Sequence, residues 1–298
     1  MRYVEAGGVR LSAIGLGTWQ FGSTEWGYGS DFATKVAGDI VRRAIELGIN
    51  LIDTAEIYGF GRSERIVGAA IKGRRDAVFV ATKLFPVGLP FMAESRARAS
   101  ARRLGVDRID LYQQHWQSPL FPAGATMSRL RRLLDRGEVS HVGVSNHDLE
   151  AWKRCDDALG APVISNQVSF SLLQRSPERE LVPWAQRNGR VVIAYSPLAQ
   201  GILSGRYQAA RPGNFRRFTG NFSAAARTRR EPLIAALRDM AGAHDATAAQ
   251  VALAWLIRKP NVVAIPGASS VAQLEENARA ADLELGDAEV GQLDSLSA

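Results

Sequence analysis

An alternation limits what this chain can become. Eight short, β-branched apolar runs each give way to a longer stretch with helical spacing of its apolar residues. The runs are AIGLGT (13–18), NLIDTA (50–55), AVFVATK (77–83), DLYQQH (110–115), VSHVGVSN (139–146), VISNQ (163–167), RVVIAYS (190–196) and VVAIPG (262–267). Helical patterns cover 34–48, 63–72, 93–104, 126–137, 148–158, 178–189, 230–243, 247–258 and 270–281. Strands that alternate with helices build βαβ units and a parallel sheet. Eight units in about 270 residues predict an α/β fold closed as a (β/α)8 TIM barrel. An open doubly wound sheet would carry Gly-x-Gly-x-x-Gly after its first strand, and GLGTWQFG lacks that spacing.

Residues 1–12 read as a hairpin turning at Gly7-Gly8, placed before the barrel. One domain is expected over 1–298. Residues 197–230 break the rhythm with an irregular Gly, Pro, Arg and Phe mixture, a long loop at the C-terminal face where barrel enzymes place their sites.

The bulk numbers narrow the class. The chain has 298 residues, 46% of them hydrophobic, and a single cysteine, Cys155, so no intramolecular disulfide framework forms. No secretory h-region and no apolar run long enough to span a membrane is visible, so a soluble cytoplasmic protein is expected. The net charge of +7 rests on 32 arginines against five lysines, dispersed over helical faces. Without an aromatic-basic motif this does not point to nucleic acid. No metal is expected, and the oligomeric state is left open.

In a barrel, all strand ends meet around one rim. Here they read Gly17-Thr18-Trp19, Asp53, Thr82-Lys83, Gln114-His115-Trp116, Ser145-Asn146, Asn166-Gln167, Tyr195-Ser196 and Pro266-Gly267, the last running into Ser269-Ser270. Asp53 and Lys83 on neighbouring strands make an ion pair, which by itself is as consistent with structure as with chemistry. Tyr58 follows Asp53 by five residues, in a turn that Gly59 and Gly61 allow; Ser63 is expected to cap the next helix. A nearby cation lowers the pKa of a tyrosine, and His115 is placed to donate to an oxygen gaining negative charge. The group protonates an oxygen and contains no nucleophile, which implies hydride transfer from a cofactor. A Schiff-base role for Lys83 conflicts with Asp53, which holds the lysine protonated.

The rim also suits a dinucleotide. Tyr195 offers a flat ring, Ser145, Asn146 and Gln167 offer carboxamide partners, and the turn into a helix at Ser270 offers N–H groups to phosphate. Gln273 either serves there or closes a capping box. Trp19, Trp26, Phe85 and Trp116 are expected to line an apolar substrate pocket beside Tyr58 and His115.

The motifs DTAEIYGFGRSE, VATK, DLYQQH, GVSN, NQVSFSLL, YSPLAQGILSGRY and IPGASSVAQLEEN resemble the aldo-keto reductases, from the hairpin to about residue 283. They look closest to bacterial members and to the potassium-channel β-subunit-like branch. The resemblance implies a barrel that binds extended NADPH or NADP+, with Tyr58 as general acid, Lys83 and Asp53 tuning it, and His115 orienting a small carbonyl substrate. It implies cofactor contacts from Gly17, Thr18, Trp19, Asp53, Ser145, Asn146, Gln167, Tyr195, Ser196, Pro197, Leu198, Gly201, Leu203, Arg206, Pro266, Gly267, Ala268, Ser269, Gln273, Glu276 and Asn277. Gly267 and Gln273 stand where many members place lysine and arginine around the 2′-phosphate; Ser269, Gln273 and Arg206 are the equivalents here. The activity implied is reduction of aldehydes or ketones, the alternative being a redox-sensing regulatory subunit with slow turnover.

Overall fold

Two short antiparallel strands open the chain, β1 (Tyr3–Ala6) and β2 (Val9–Ser12). Gly7 and Gly8 turn between them at φ 65° and 75°, a geometry that a two-residue hairpin needs and glycine adopts freely. The computed structural model describes residues 1–22, 36–205 and 223–297.

The eight predicted runs become eight parallel strands: β3 (Leu16–Gly17), β4 (Leu51–Asp53), β5 (Phe79–Leu84), β6 (Ile109–Gln114), β7 (Val139–Ser145), β8 (Val163–Ser169), β9 (Val191–Tyr195) and β10 (Val262–Ala264). Each pairs with the next in chain order. The first and last strands meet through parallel bridges Ile14↔Ala264 and Gly17↔Gly267, which close the (β/α)8 barrel. Gly15 N donates to Ala264 O at 2.8 Å across this seam. A Cβ on Gly17 would lie 2.8 Å from Ile265 O, so only glycine lets the seam close there.

Around the barrel run α1 (Trp19–Gly22), α2 (Ala37–Glu46), α3 (Arg62–Ile71), α4 (Ala93–Leu104), α5 (Ala123–Asp135), α6 (Leu149–Leu159), α7 (Leu181–Arg187), α8 (Ala224–Ala243), α9 (Ala248–Ile257), α10 (Val271–Arg279) and α11 (Asp287–Leu296). All nine predicted helical segments are present. Helix α8 starts at Ala224 rather than near 230, because Ser223 accepts from Ala226 N as its N-cap. The 3-10 turn at Ala199–Ser204 also falls within the stretch expected to be irregular. Helix α11 was not anticipated: Leu293 is its one buried residue, too little to imprint a helical period on the sequence.

Leu51, Ile52 and most of the barrel-strand residues are buried, and polar residues gather where the strands end. No helix among the described residues is long and apolar enough to cross a membrane.

Candidate active site

Asp53 is the last residue of β4, paired in register with Gly17 on one side and Ala81 on the other. Its side chain is sealed inside the mouth, at 1% exposure, with Lys83 at 0%. An isolated charge there would be prohibitive, so the two are paired: Lys83 Nζ donates to Asp53 Oδ1 at 2.5 Å. The ammonium also donates to Thr54 O at 2.8 Å and to the Tyr58 hydroxyl at 3.4 Å. All three of its donors are thus engaged. Burial works against the charge on Lys83, but Asp53 and Tyr58 outweigh it and raise the pKa, so the amine is a fixed cation and not a nucleophile.

The second oxygen of Asp53 takes two amides, Gln167 Nε2 at 2.8 Å and Gln113 Nε2 at 3.3 Å. Gln113 was not singled out in the sequence, although strand alternation puts it on the inward face with His115. Gln167 was expected to meet a cofactor carboxamide; here its nitrogen is directed to Asp53.

The turn after β4 brings Tyr58 back over this pair. Gly59, Phe60 and Gly61 run left-handed at φ 58°, 53° and 81°. The Tyr58–Gly59 peptide lies against Gly22: a Cβ on Gly22 would be 2.4 Å from Tyr58 C, and one on Gly59 would be 2.4 Å from Gly22 O. Burial raises the Tyr58 pKa above its ordinary value, and Lys83 offsets only part of this, so the hydroxyl keeps its proton at neutral pH. The expected lowering by Lys83 is real but smaller than the desolvation.

Ser63 does not cap α3. The N-cap is Gly61, and the Ser63 hydroxyl instead donates to Thr18 O at 3.0 Å while accepting from Thr54 Oγ1 at 2.9 Å. Two strand ends claim the hydroxyl before the helix can.

His115 stacks on Trp116 at 3.9 Å between ring centroids and meets Tyr58 and Phe85 edge-on at 6.0 and 5.9 Å. Burial, and then Lys83, push its pKa down to about 2, so the imidazole is neutral. It can donate a hydrogen bond, and it holds no spare proton. Trp19 lies 6.4 Å from the Tyr58 ring. Trp19 thus neighbours Tyr58, and Phe85 and Trp116 neighbour His115; Trp26 falls outside the described residues.

The remaining rim residues form two groups. In the first, Ser145 Oγ donates to Gln167 O at 2.9 Å, Asn146 Nδ2 to Ser145 Oγ at 3.0 Å, and Tyr195 Oη to Asn146 Oδ1 at 2.9 Å. Asn146 and Ser196 adopt φ of 59° and 50°, bending the chain outward as the strands end. After Pro197, Leu198 O accepts from Gly201 N at 2.9 Å and Leu203 N at 3.3 Å in the 3-10 turn. Arg206 lies outside the described residues.

The second group surrounds the start of α10. Pro266 leads into Gly267, where the Gln20 amide fills the space of a missing Cβ at 2.5 Å and donates to Ala268 O at 2.8 Å. Ser270 caps α10 through Gln273 N. The Gln273 carbonyl accepts from both Ser269 N at 2.8 Å and Ser269 Oγ at 2.9 Å, so it braces the turn one residue ahead of a capping box. Asn277 Nδ2 donates to Gly267 O at 3.3 Å, and Glu276 accepts from Thr247 Oγ1 at 2.9 Å.

A closed barrel with a tyrosine, a caged lysine, an aspartate and a neutral histidine at its mouth defines a barrel oxidoreductase. The model of the Aldo/keto reductase family matches residues 13–298, and the chain belongs to that family. It is 54% identical over 288 residues to an uncharacterized oxidoreductase of Mycobacterium tuberculosis, covering 96% of this chain and 89% of that one. A methylglyoxal reductase of Escherichia coli is 37% identical over 294 residues, covering 97% and 92%. Among solved structures, an aldo/keto reductase from Klebsiella pneumoniae in complex with NADP and acetate superposes with a TM-score of 0.78 at 33% identity, covering 98% and 93%.

Proposed function

We propose that this protein reduces aldehyde or ketone carbonyls to alcohols with NADPH, and that Tyr58 is its general acid. The carrying observation is the Tyr58 hydroxyl 3.4 Å from a Lys83 ammonium that Asp53 keeps charged. NADPH, when bound, supplies a hydride to the carbonyl carbon. Tyr58 gives its proton to the carbonyl oxygen as charge develops there, and Lys83 stabilises the phenolate that remains. His115, neutral, donates a hydrogen bond to the same oxygen. Trp19, Phe85 and Trp116 wall the space where the carbonyl group rests.

The chain fits the cofactor. Tyr195 presents a ring oriented by Asn146, and Ser145 and Asn146 place polar groups beside it. The N-terminus of α10 offers a helix dipole and the N–H groups of its first residues to phosphate. The Klebsiella relative was crystallised with NADP, and the Escherichia relative is named for a small dicarbonyl. Both are consistent with this reading.

The test follows loss of NADPH absorbance with 4-nitrobenzaldehyde and a panel of small carbonyls. Steady oxidation is expected, slower when NADH replaces NADPH. Tight NADPH binding with no oxidation across the panel would overturn the enzyme reading.

A further inference from the structure

One ion pair at the mouth plays no part in the proton transfer described above. Glu56 lies between Asp53 and Tyr58 in the same turn, yet its hydrogen bonds go to the next βα unit. Glu56 Oε1 accepts from Phe85 N at 2.7 Å. Arg96, on α4, grips both oxygens, through Nη2 to Oε1 and through Nε to Oε2 at 3.1 Å. The third arm of the guanidinium, Nη1, donates to Val87 O at 2.5 Å. The pair is largely buried, with side-chain exposures of 12% for Glu56 and 20% for Arg96.

A two-pronged arginine–carboxylate contact fixes direction as well as distance. This one joins two segments that both face the reacting group. The first carries Tyr58. The second carries Phe85, whose ring lies edge-on to His115 at 5.9 Å and to Trp116 at 5.6 Å. The second segment is otherwise open: Val87, Leu89 and Phe91 are 58%, 49% and 60% exposed, so side-chain burial does little to hold it.

We propose that Glu56 is a positioning residue. With Arg96 it fastens the turn bearing Tyr58 to the strand end bearing Phe85, so the proton donor and the wall that seats the carbonyl hold one fixed separation. The proposal rests on the reductase reading. An offset of about 1 Å between reacting groups can cost on the order of 100-fold in rate, and a surface loop without the pair would allow that much.

The test compares wild type with Glu56→Ala, Glu56→Gln and Arg96→Lys, assayed well below their melting temperatures. For Glu56→Ala we expect kcat with 4-nitrobenzaldehyde to fall roughly 10- to 100-fold, KM for the aldehyde to rise, and NADPH affinity to stay within about twofold. Glu56→Gln keeps an acceptor for Phe85 N and should recover part of kcat; Arg96→Lys, which loses the fork, should resemble the alanine variant. A lower melting temperature with wild-type kcat and KM would reduce the pair to a structural clasp and overturn the proposal. If wild type itself fails to oxidise NADPH with any carbonyl of the panel, the reductase reading fails. Glu56 is then judged by amide exchange. Faster exchange in both 54–60 and 85–92 upholds the tie between the segments, and an unchanged rate in either one overturns it.

Discussion

Two carboxylates in this protein are almost equally shut off from solvent, and one of them is at the candidate active site. Asp53 is 1% exposed and Glu64 is 0%. Each is paired with a cation: Asp53 with Lys83, and Glu64 with Arg103 Nε at 2.5 Å. Each complex also includes a hydroxyl, that of Tyr58 on Lys83 at 3.4 Å and that of Thr82 on Glu64 at 2.7 Å. The difference lies in those hydroxyls and in where they face. A threonine alcohol does not titrate, whereas a phenol with an ordinary pKa of about 10 can be brought to give up its proton. Arg103 spends a second arm on Ser100 Oγ at 3.0 Å, on the outer side of the strand. The Glu64 pair braces the helices outside β5; the Asp53 pair acts on a group at the open mouth. A buried charge therefore says little about function until its third partner is known.

Breaking the two complexes should separate these roles. The largest effect is expected from Tyr58→Phe, which removes only the proton donor. Carbonyl turnover should fall about 100- to 10,000-fold while NADPH affinity, read by fluorescence quenching, is kept; retention of most of the activity would remove Tyr58 from the acid role. Next comes Glu64→Ala, which leaves Arg103 without its carboxylate. Urea denaturation should show a loss of about 3–5 kcal/mol, with turnover per folded molecule near wild type. A fall in kcat without loss of stability would place Glu64 in the chemistry after all.

The smallest effect concerns His115. Its folded pKa of about 2 lies below an unfolded value near 6.5. Below pH 6.5 the unfolded chain binds the proton and the folded chain does not, so stability is full above that pH and falls as acid is added. The contribution is up to about 1.4 kcal/mol per pH unit. His115→Gln should flatten the stability slope between pH 6 and 4 by roughly that amount. His141 and His147, also lowered by burial, supply a remaining slope of the same sign. An unchanged slope in the variant would mean that His115 does not stay neutral in the folded protein.

The fold was readable because a barrel repeats itself. Eight apolar runs bounded by polar ends mark eight strands, and topology alone then gathers Asp53, Lys83 and His115 on one rim. What escaped was of another kind. Helix α11 buries one side chain and leaves no period. Ser63 has the position of a cap, but the Thr18 carbonyl and the Thr54 hydroxyl, from two different strand ends, compete for it. Gln167 could be placed at the mouth, yet which way its amide points is decided by Asp53, 114 positions away. Glu56 and Arg96, 40 positions apart, carry no spacing that sequence periodicity can detect.

Thr82 and Lys83 are adjacent in β5, and because successive residues of a strand face opposite ways, one serves the outer pair and the other the inner. A single residue inserted ahead of them in the strand would turn lysine to the outer face and threonine to the inner one. Both carboxylates would lose their partners in one event. A strand under that constraint tolerates changes of composition better than changes of length, which the loops joining it to α3 and α4 absorb more easily.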